Sequence, residues 1–220
     1  MTFGAAARRG PLRPGDRVQL TDARGHKHTI TLTPGEVFHT HRGYFKHDEL
    51  LGSVEGTVVT TTAGIEYVAM RPLLSDFVMS MPRGPQVVYP KDAAQIVTYA
   101  DIFPGAVVFE AGLGSGALAL SLLRAVGENG RLISVERRSE FAEIAQANVT
   151  AFFGGRPPSW TVEIGDAADV LLAQPPASVD RVVFDMLAPW ENLAAVSHAL
   201  VPGGVFIFYV ETVTQLSRLV

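Results

Sequence analysis

The stretch Glu110-Ala111-Gly112-Leu113-Gly114-Ser115-Gly116 sets a carboxylate ahead of three alternate glycines, and a helix-length run follows. Glycine lets backbone approach a ligand closely, and a helix start offers free N–H groups. A dinucleotide fingerprint is GxGxxG, whereas here the third glycine comes only two residues after the second. A carboxylate at Glu110 would sit poorly beside a pyrophosphate and well beside an ammonium. Glu136 ends a second apolar run, a place from which a carboxylate accepts both hydroxyls of a ribose. Asp166, in Gly165-Asp166-Ala167, follows a third run and is placed to accept from the 6-amino group of adenine. The same residue is also a common helix N-cap.

A fourth run ends in Asp185-Met186-Leu187-Ala188-Pro189-Trp190. There a carboxylate, a proline-stiffened turn and a Trp together suit a planar base, although an ordinary strand-to-helix loop has the same composition. Asp92 and Gln95 have the spacing of a capping box and predict a helix over 93–100. Gln95 also has the reach to touch the glycine loop, which spacing leaves open. His39, His41 and His47 resemble a metal cluster only loosely, since two His at i, i+2 share a strand face but no third ligand has diagnostic spacing. A surface meeting substrate or a neighbouring subunit is expected there, and no metal.

These side chains need strands to carry them. AVVFE (106–110), RLISVE (131–136), WTVEI (160–164), DRVVFD (180–185) and GVFIFYV (204–210) are apolar runs of the kind found in strands covered on both faces. Between them SGALALSLLRAV, SEFAEIAQANVTAFF and WENLAAVSHAL fit helices. The alternation predicts a doubly wound α/β sheet, in which ligands bind beyond the carboxyl ends of the strands. Residues 16–70 instead alternate polar and apolar residues, with a hairpin around Ala63-Gly64, and predict a small all-β domain. The expected division is a β-domain over 1–70, a proline-rich linker over 71–90 and the α/β domain from 91 to 220.

The 220 residues include no Cys, which excludes a disulfide scaffold, a thiolate metal site and a cysteine nucleophile. With 47% hydrophobic residues the chain has the composition of a globular protein. Its start has no apolar signal-peptide core, and no apolar run approaches the roughly 18–20 residues of a membrane span. A cytoplasmic protein is expected. Residues 1–50 carry eight Lys and Arg against five acidic residues, and five of the six His. The remaining residues carry ten against 17, so a polyanion is expected to dock on the N-terminal part.

At HTHRGYFKHDELLGSVEGTVV, LLSDFVMSMPRGPQVVYPKDAAQI, EAGLGSGAL and DMLAPW the sequence resembles the tRNA (adenine-N1) methyltransferases that modify adenosine 58 of the T-loop. The likeness spans nearly the whole chain and is nearest to the single-polypeptide bacterial and archaeal type. It implies a Rossmann-like class I methyltransferase sheet, S-adenosylmethionine (AdoMet) as cofactor, tRNA as partner and a homotetramer. It also implies cofactor contacts at Gln95, Glu110, Gly112, Leu113, Gly114, Ser115, Gly116, Ala117, Glu136, Asp166, Ala167 and Asp185. Asp185, the expected catalytic residue, would receive the target adenine, with Tyr89, Trp190, His39, His41 and Arg42 as further substrate contacts. The family continues past the position of Val220 with an antiparallel strand pair, so five strands would leave a sheet edge uncovered. The alternatives are an AdoMet enzyme acting on another substrate and a non-catalytic RNA-binding subunit. A nicotinamide dehydrogenase is disfavoured by the glycine spacing and Glu110.

Overall fold

The computed structural model describes residues 8–84, 86–210 and 212–218, which divide into two compact units. One ends at Ser80 and takes in Ala151–Gly155; the other comprises Met81–Thr150 and the residues from Arg156 on.

In the N-terminal unit, β1 (Arg17–Asp22), β2 (Lys27–Thr31), β5 (Thr57–Thr60) and β6 (Glu66–Met70) form an antiparallel sheet in the order β2-β1-β6-β5. β3 (Val37–Thr40) and β4 (Gly43–Lys46) form a separate hairpin with His39 opposite Tyr44. Alternation does the sorting: Val18, Leu20, Tyr67 and Ala69 point to a core shared with Leu12, Leu32, Phe45 and Leu50. The β1–β2 turn is held by Asp22, which accepts from the His26 ring (3.0 Å) and from the N–H groups of His26 and Arg24. The His26 hydrogen bond leads in holding that carboxyl down to about 2.

The stretch 71–90 is not a plain linker. Its prolines leave room for a helix, α1 (Leu74–Ser80), which buries Phe77 and Val78, and the division between the units falls after it.

The second unit carries the expected parallel sheet. Its strands are β7 (Val107–Ala111), β8 (Arg131–Glu136), β9 (Trp160–Ile164), β10 (Val179–Asp185) and β11 (Leu200–Tyr209), in the order β11-β10-β7-β8-β9. Helix α2 (Pro90–Tyr99) precedes them, α3 (Ala117–Val126), α4 (Ser139–Phe153), α5 (Ala167–Leu172) and α6 (Leu193–Ala199) connect them, and α7 (Val213–Leu216) follows β11. Phe109, Ile133, Val182 and Phe184 are almost fully buried, which is why these runs carry no polar alternation. β11 forms one edge and its residues stay partly exposed.

Two local expectations change. α2 begins at Pro90 with Tyr89 as N-cap and no side-chain cap, because proline at the first helical position sets the start. Asp92 therefore lies inside the first turn, where it pairs with Lys91 at 2.8 Å. The helix expected over 190–200 is split into a 3-10 turn at Pro189–Asn192 and α6, and Leu200 already belongs to β11.

Candidate active site

The carboxyl ends of β7, β8 and β10 open onto one elongated cleft with two adjoining chambers of about 240 and 470 Å³. Gly112, Glu136, Arg138, Asp185, Met186 and Leu187 line both.

Gly112 is what lets two strand ends meet. Its φ is +88°, and a Cβ there would stand 1.9 Å from the carbonyl oxygen of Asp185. A side chain at this position must push the Asp185 loop away. Gly114 serves the site differently: its N–H donates to Oε2 of Glu136 at 2.9 Å. The Arg138 N–H donates to the other oxygen at 3.2 Å, so backbone from two loops aims this carboxylate at the junction of the chambers. Leu113, Gly114, Ser115 and Ala117 line the first chamber. Ser115 also accepts from the Gly84 N–H at 2.9 Å, and Asn148 donates to the carbonyls of Ser115 and Pro82. The segment leading to Gln86, Val87 and Val88 is thereby tied to the glycine loop, and these three residues form a wall of the same chamber. Tyr209 at the end of β11, and Val210 and Gln215 beyond it, add to the same wall.

The second chamber is lined by Gly165, Ala167, Arg137 and Glu191. Asp166 stands just behind. Its Oδ1 caps α5 by accepting from Ala168 N–H at 2.9 Å, and Oδ2 pairs with Arg137. The Ala168 hydrogen bond, followed by Arg137, draws this carboxyl below its ordinary value. Asp166 is therefore the N-cap of α5, and its neighbours Gly165 and Ala167 line the chamber.

Glu110 departs furthest from expectation. Instead of facing the cleft it is 1% exposed, receives the Ser134 hydroxyl at 2.6 Å, and leaves Oε1 buried with no partner among the described residues. Trp160 Nε1 donates to the same Ser134 oxygen at 2.9 Å. Burial pushes the Glu110 carboxyl up to about 8; nearby Asp185 and Glu136 add to the rise and the Ser134 hydrogen bond opposes it. The ammonium partner foreseen at this position is thus a buried acid beneath the glycine loop, off the cleft walls.

Other expected residues lie off the cleft walls. Gln95 is exposed on α2, and Tyr89 is 39% exposed at its N-cap. Trp190 sits in the 3-10 turn with the Arg218 guanidinium 5.2 Å from its ring centre. Gly116, with φ +81°, starts α3 against Ala145. His39, His41 and Arg42 belong to the N-terminal unit. There the His39 and Tyr44 rings lie 5.3 Å apart, and Arg42 stands 3.7 Å from Asp22. Among the described residues no group of three or more His, Asp or Glu is arranged to hold a metal. No helix is long and apolar enough to cross a membrane among those residues.

Sequence reasoning missed Gln86, Arg138, Asn148, Tyr209 and Gln215. Only Arg138, two residues beyond a strand end, and Tyr209, at the end of the fifth apolar run, carried a local signal.

Chemically, the cleft offers one carboxylate where the chambers join, a second at the end of β10, and loop backbone shaped by glycine. That suits a long ligand with a sugar in its middle. Comparisons with known proteins agree. A family model described as "TrmI-like N-terminal" matches residues 10–59, and one described as "tRNA methyltransferase complex GCD14 subunit" matches residues 66–220. The chain is 37% identical over 206 residues to the tRNA (adenine(58)-N(1))-methyltransferase TrmI of Thermus thermophilus, covering 91% of this chain and 77% of that one. It is 33% identical over 194 residues to the catalytic subunit TRM61 of the corresponding enzyme of Cryptococcus neoformans, covering 84% of this chain and 42% of that one. Among solved structures, a SAM-dependent O-methyltransferase from Thermotoga maritima matches with TM-score 0.88 and 32% identity over 98% of this chain and 78% of that chain. The tRNA (m1A58) methyltransferase TrmI of Aquifex aeolicus matches with TM-score 0.82 and 25% identity over 96% and 80%.

Proposed function

Because the chain belongs to the tRNA methyltransferase family described as the GCD14 subunit, we propose that its cleft performs that family's reaction, methylation of N1 of adenosine 58 in tRNA with AdoMet as donor. The observation that carries this is the cleft itself, which joins the Gly112 loop, Glu136 and Asp185 in one cavity.

AdoMet fits the residues present. The space at Gly112 and Gly114 is free of side chains, Glu136 stands where the chambers meet, and Gly165 and Ala167 border the second chamber. In this reading Glu136 takes the ribose hydroxyls, the second chamber takes the adenine of the cofactor, and the glycine-loop chamber takes its methionine part. When bound, AdoMet supplies a methyl group already activated on a sulfonium. What remains for the protein is positioning, exclusion of water and control of charge.

Adenine N1 is a weak nucleophile while its lone pair is delocalised toward the 6-amino group. Asp185, in this proposal, accepts a hydrogen bond from that amino group, raises electron density at N1 and offsets the positive charge that forms. The target base must leave its stack to enter, at a cost of a few kcal/mol. Gln95, Tyr89, Trp190, His39, His41 and Arg42 remain contacts proposed from the resemblance. A cytoplasmic homotetramer is the assembly proposed with them, checked by analytical ultracentrifugation.

The likeness to an O-methyltransferase structure supports a second reading, methylation of another substrate. Incubating unmodified tRNA with AdoMet and mapping the modified nucleotide separates the two. Methylation at N1 of adenosine 58 is the expected result, and an enzyme that binds AdoMet but leaves tRNA unmodified overturns the proposal. Asp185→Asn keeps the shape and removes the charge. It should lower single-turnover methylation about 10²–10³-fold at saturating AdoMet, with tRNA affinity nearly retained.

A further inference from the structure

The N-terminal unit holds a small cavity of its own, away from the residues assigned above. Three guanidinium groups line it, those of Arg8, Arg17 and Arg71, together with Asp16, Phe77 and Phe152. The two phenyl rings stand edge to face, 5.0 Å apart. Arg17 lies over Phe77 at 4.9 Å and Arg8 over Phe152 at 4.6 Å. Stacking of this kind engages the flat face of a guanidinium and leaves its N–H edge for an acceptor.

The charges do not balance inside the cavity. Arg71 is fully compensated, with Asp16 at 2.6 Å and Glu55 at 2.8 Å. Arg17 is not: among the described residues its one hydrogen bond is from Nη2 to the Ser80 carbonyl at 3.1 Å, and no carboxylate pairs with it. The Nε atoms of both Arg17 and Arg71 are buried without an acceptor. Burial also pulls the Arg17 guanidinium below its ordinary pKa. Buried cations and donors persist when something anionic satisfies them.

The size of the cavity narrows the choice. Its volume of about 30 Å³ admits roughly two oxygen-sized groups, too little for a nucleotide or a whole phosphate. A phosphodiester fits this description, since its two non-bridging oxygens project from a chain that stays outside. We propose that the Arg8–Arg17–Arg71 cavity seats the non-bridging oxygens of one RNA backbone phosphate, making it a docking point for the tRNA on the N-terminal unit. The inference rests on tRNA being the substrate, and it adds a place and a chemical group.

The test is Arg17→Met in the full chain, with Arg8→Gln as second variant should the first fail to fold. Binding to unmodified tRNA is followed by anisotropy over a range of KCl concentrations, alongside melting in phosphate-free buffer and AdoMet affinity. Either variant should weaken tRNA binding about tenfold and reduce the salt slope by about one, the signature of one lost phosphate contact. AdoMet affinity should not change. Arg17→Met should melt at or above the wild-type temperature, since it removes an uncompensated charge; a purely structural arginine would give the reverse, a lower melting temperature with tRNA binding intact. Tenfold weaker binding that wild-type charge at Arg17→Lys partly restores supports the site. A variant matching wild type in tRNA affinity and salt slope overturns it, as does inorganic phosphate raising the melting temperature of wild type alone while tRNA binding ignores the mutation. A wild type that binds no tRNA overturns the proposed function as well.

Discussion

Glu110→Gln probes the buried acid beneath the glycine loop through the pH dependence of stability. The unfolded chain ionises this group near 4.5, while burial in the native state pushes it up to about 8. A raised native value means that the protonated form is favoured on folding. Its contribution is fully present below about 4.5, and stability is lost as pH rises toward 8, because the unfolded chain gives up a proton that the native state keeps. By this linkage the loss is about 1 kcal/mol at pH 5 and about 4 kcal/mol at pH 7.5. Gln has the shape of the protonated acid and can still accept from the Ser134 hydroxyl, but it cannot ionise. Urea titrations at the two pH values should therefore put the variant ahead by about 1 kcal/mol at pH 5. At pH 7.5 it should be ahead by about 4 kcal/mol, a lead larger by about 3 kcal/mol and equal to roughly 2 M urea for a slope near 2 kcal/mol/M. Tryptophan fluorescence is a suitable probe, since both Trp residues lie in the second unit and Trp160 donates to Ser134 itself. If the difference between variant and wild type is the same at both pH values, Glu110 is ionised in the native protein and the burial argument fails.

Three further substitutions address the cleft and the basic surface. Glu136→Ala should weaken AdoMet binding by about 1–3 kcal/mol in calorimetry, because a carboxylate with paired hydrogen bonds is lost and Gly114 N–H is left without its acceptor; unchanged affinity would place the ribose elsewhere. Gly112→Ala should lower AdoMet affinity at least tenfold and stability by about 1–3 kcal/mol, since its Cβ collides with the Asp185 carbonyl at a positive φ; a variant melting and binding like wild type would mean the two loops part freely. Neutralising Arg9, Arg42 and Lys46 together should raise KM for tRNA and flatten its salt dependence by as much as about three in slope, with AdoMet affinity unchanged. An unaltered slope in that triple variant would move the RNA surface off these residues.

The parallel sheet was readable because its cause is local. Val182, Val183 and Phe184 are buried on both sides of one strand, so the run is uninterrupted, and its polar terminus at Asp185 marks where the strand leaves the core. Glu136 was readable for the same reason. Glu110 shows where that reasoning stops. It also closes an apolar run, yet its register partner is Ser134, two residues short of Glu136 on the same face, so it stays within the packed sheet where Glu136 reaches the loop. What encloses it there is Ser134, 24 residues away, with Trp160 bonded to the same hydroxyl, and no spacing rule spans that distance. Asp166 was ambiguous because an N-cap and a ligand acceptor require the same side chain after the same strand, and it is its bonds to Ala168 and Arg137 that establish the cap. Gln86 and Gln215 had no local signal at all. They reach the cleft through Asn148, which bonds the carbonyls of Pro82 and Ser115, and through Gln215, which donates to the Leu187 carbonyl at 3.1 Å. Periodicity thus locates strand ends, while the walls that complete a site between them come from contacts that only the fold brings together.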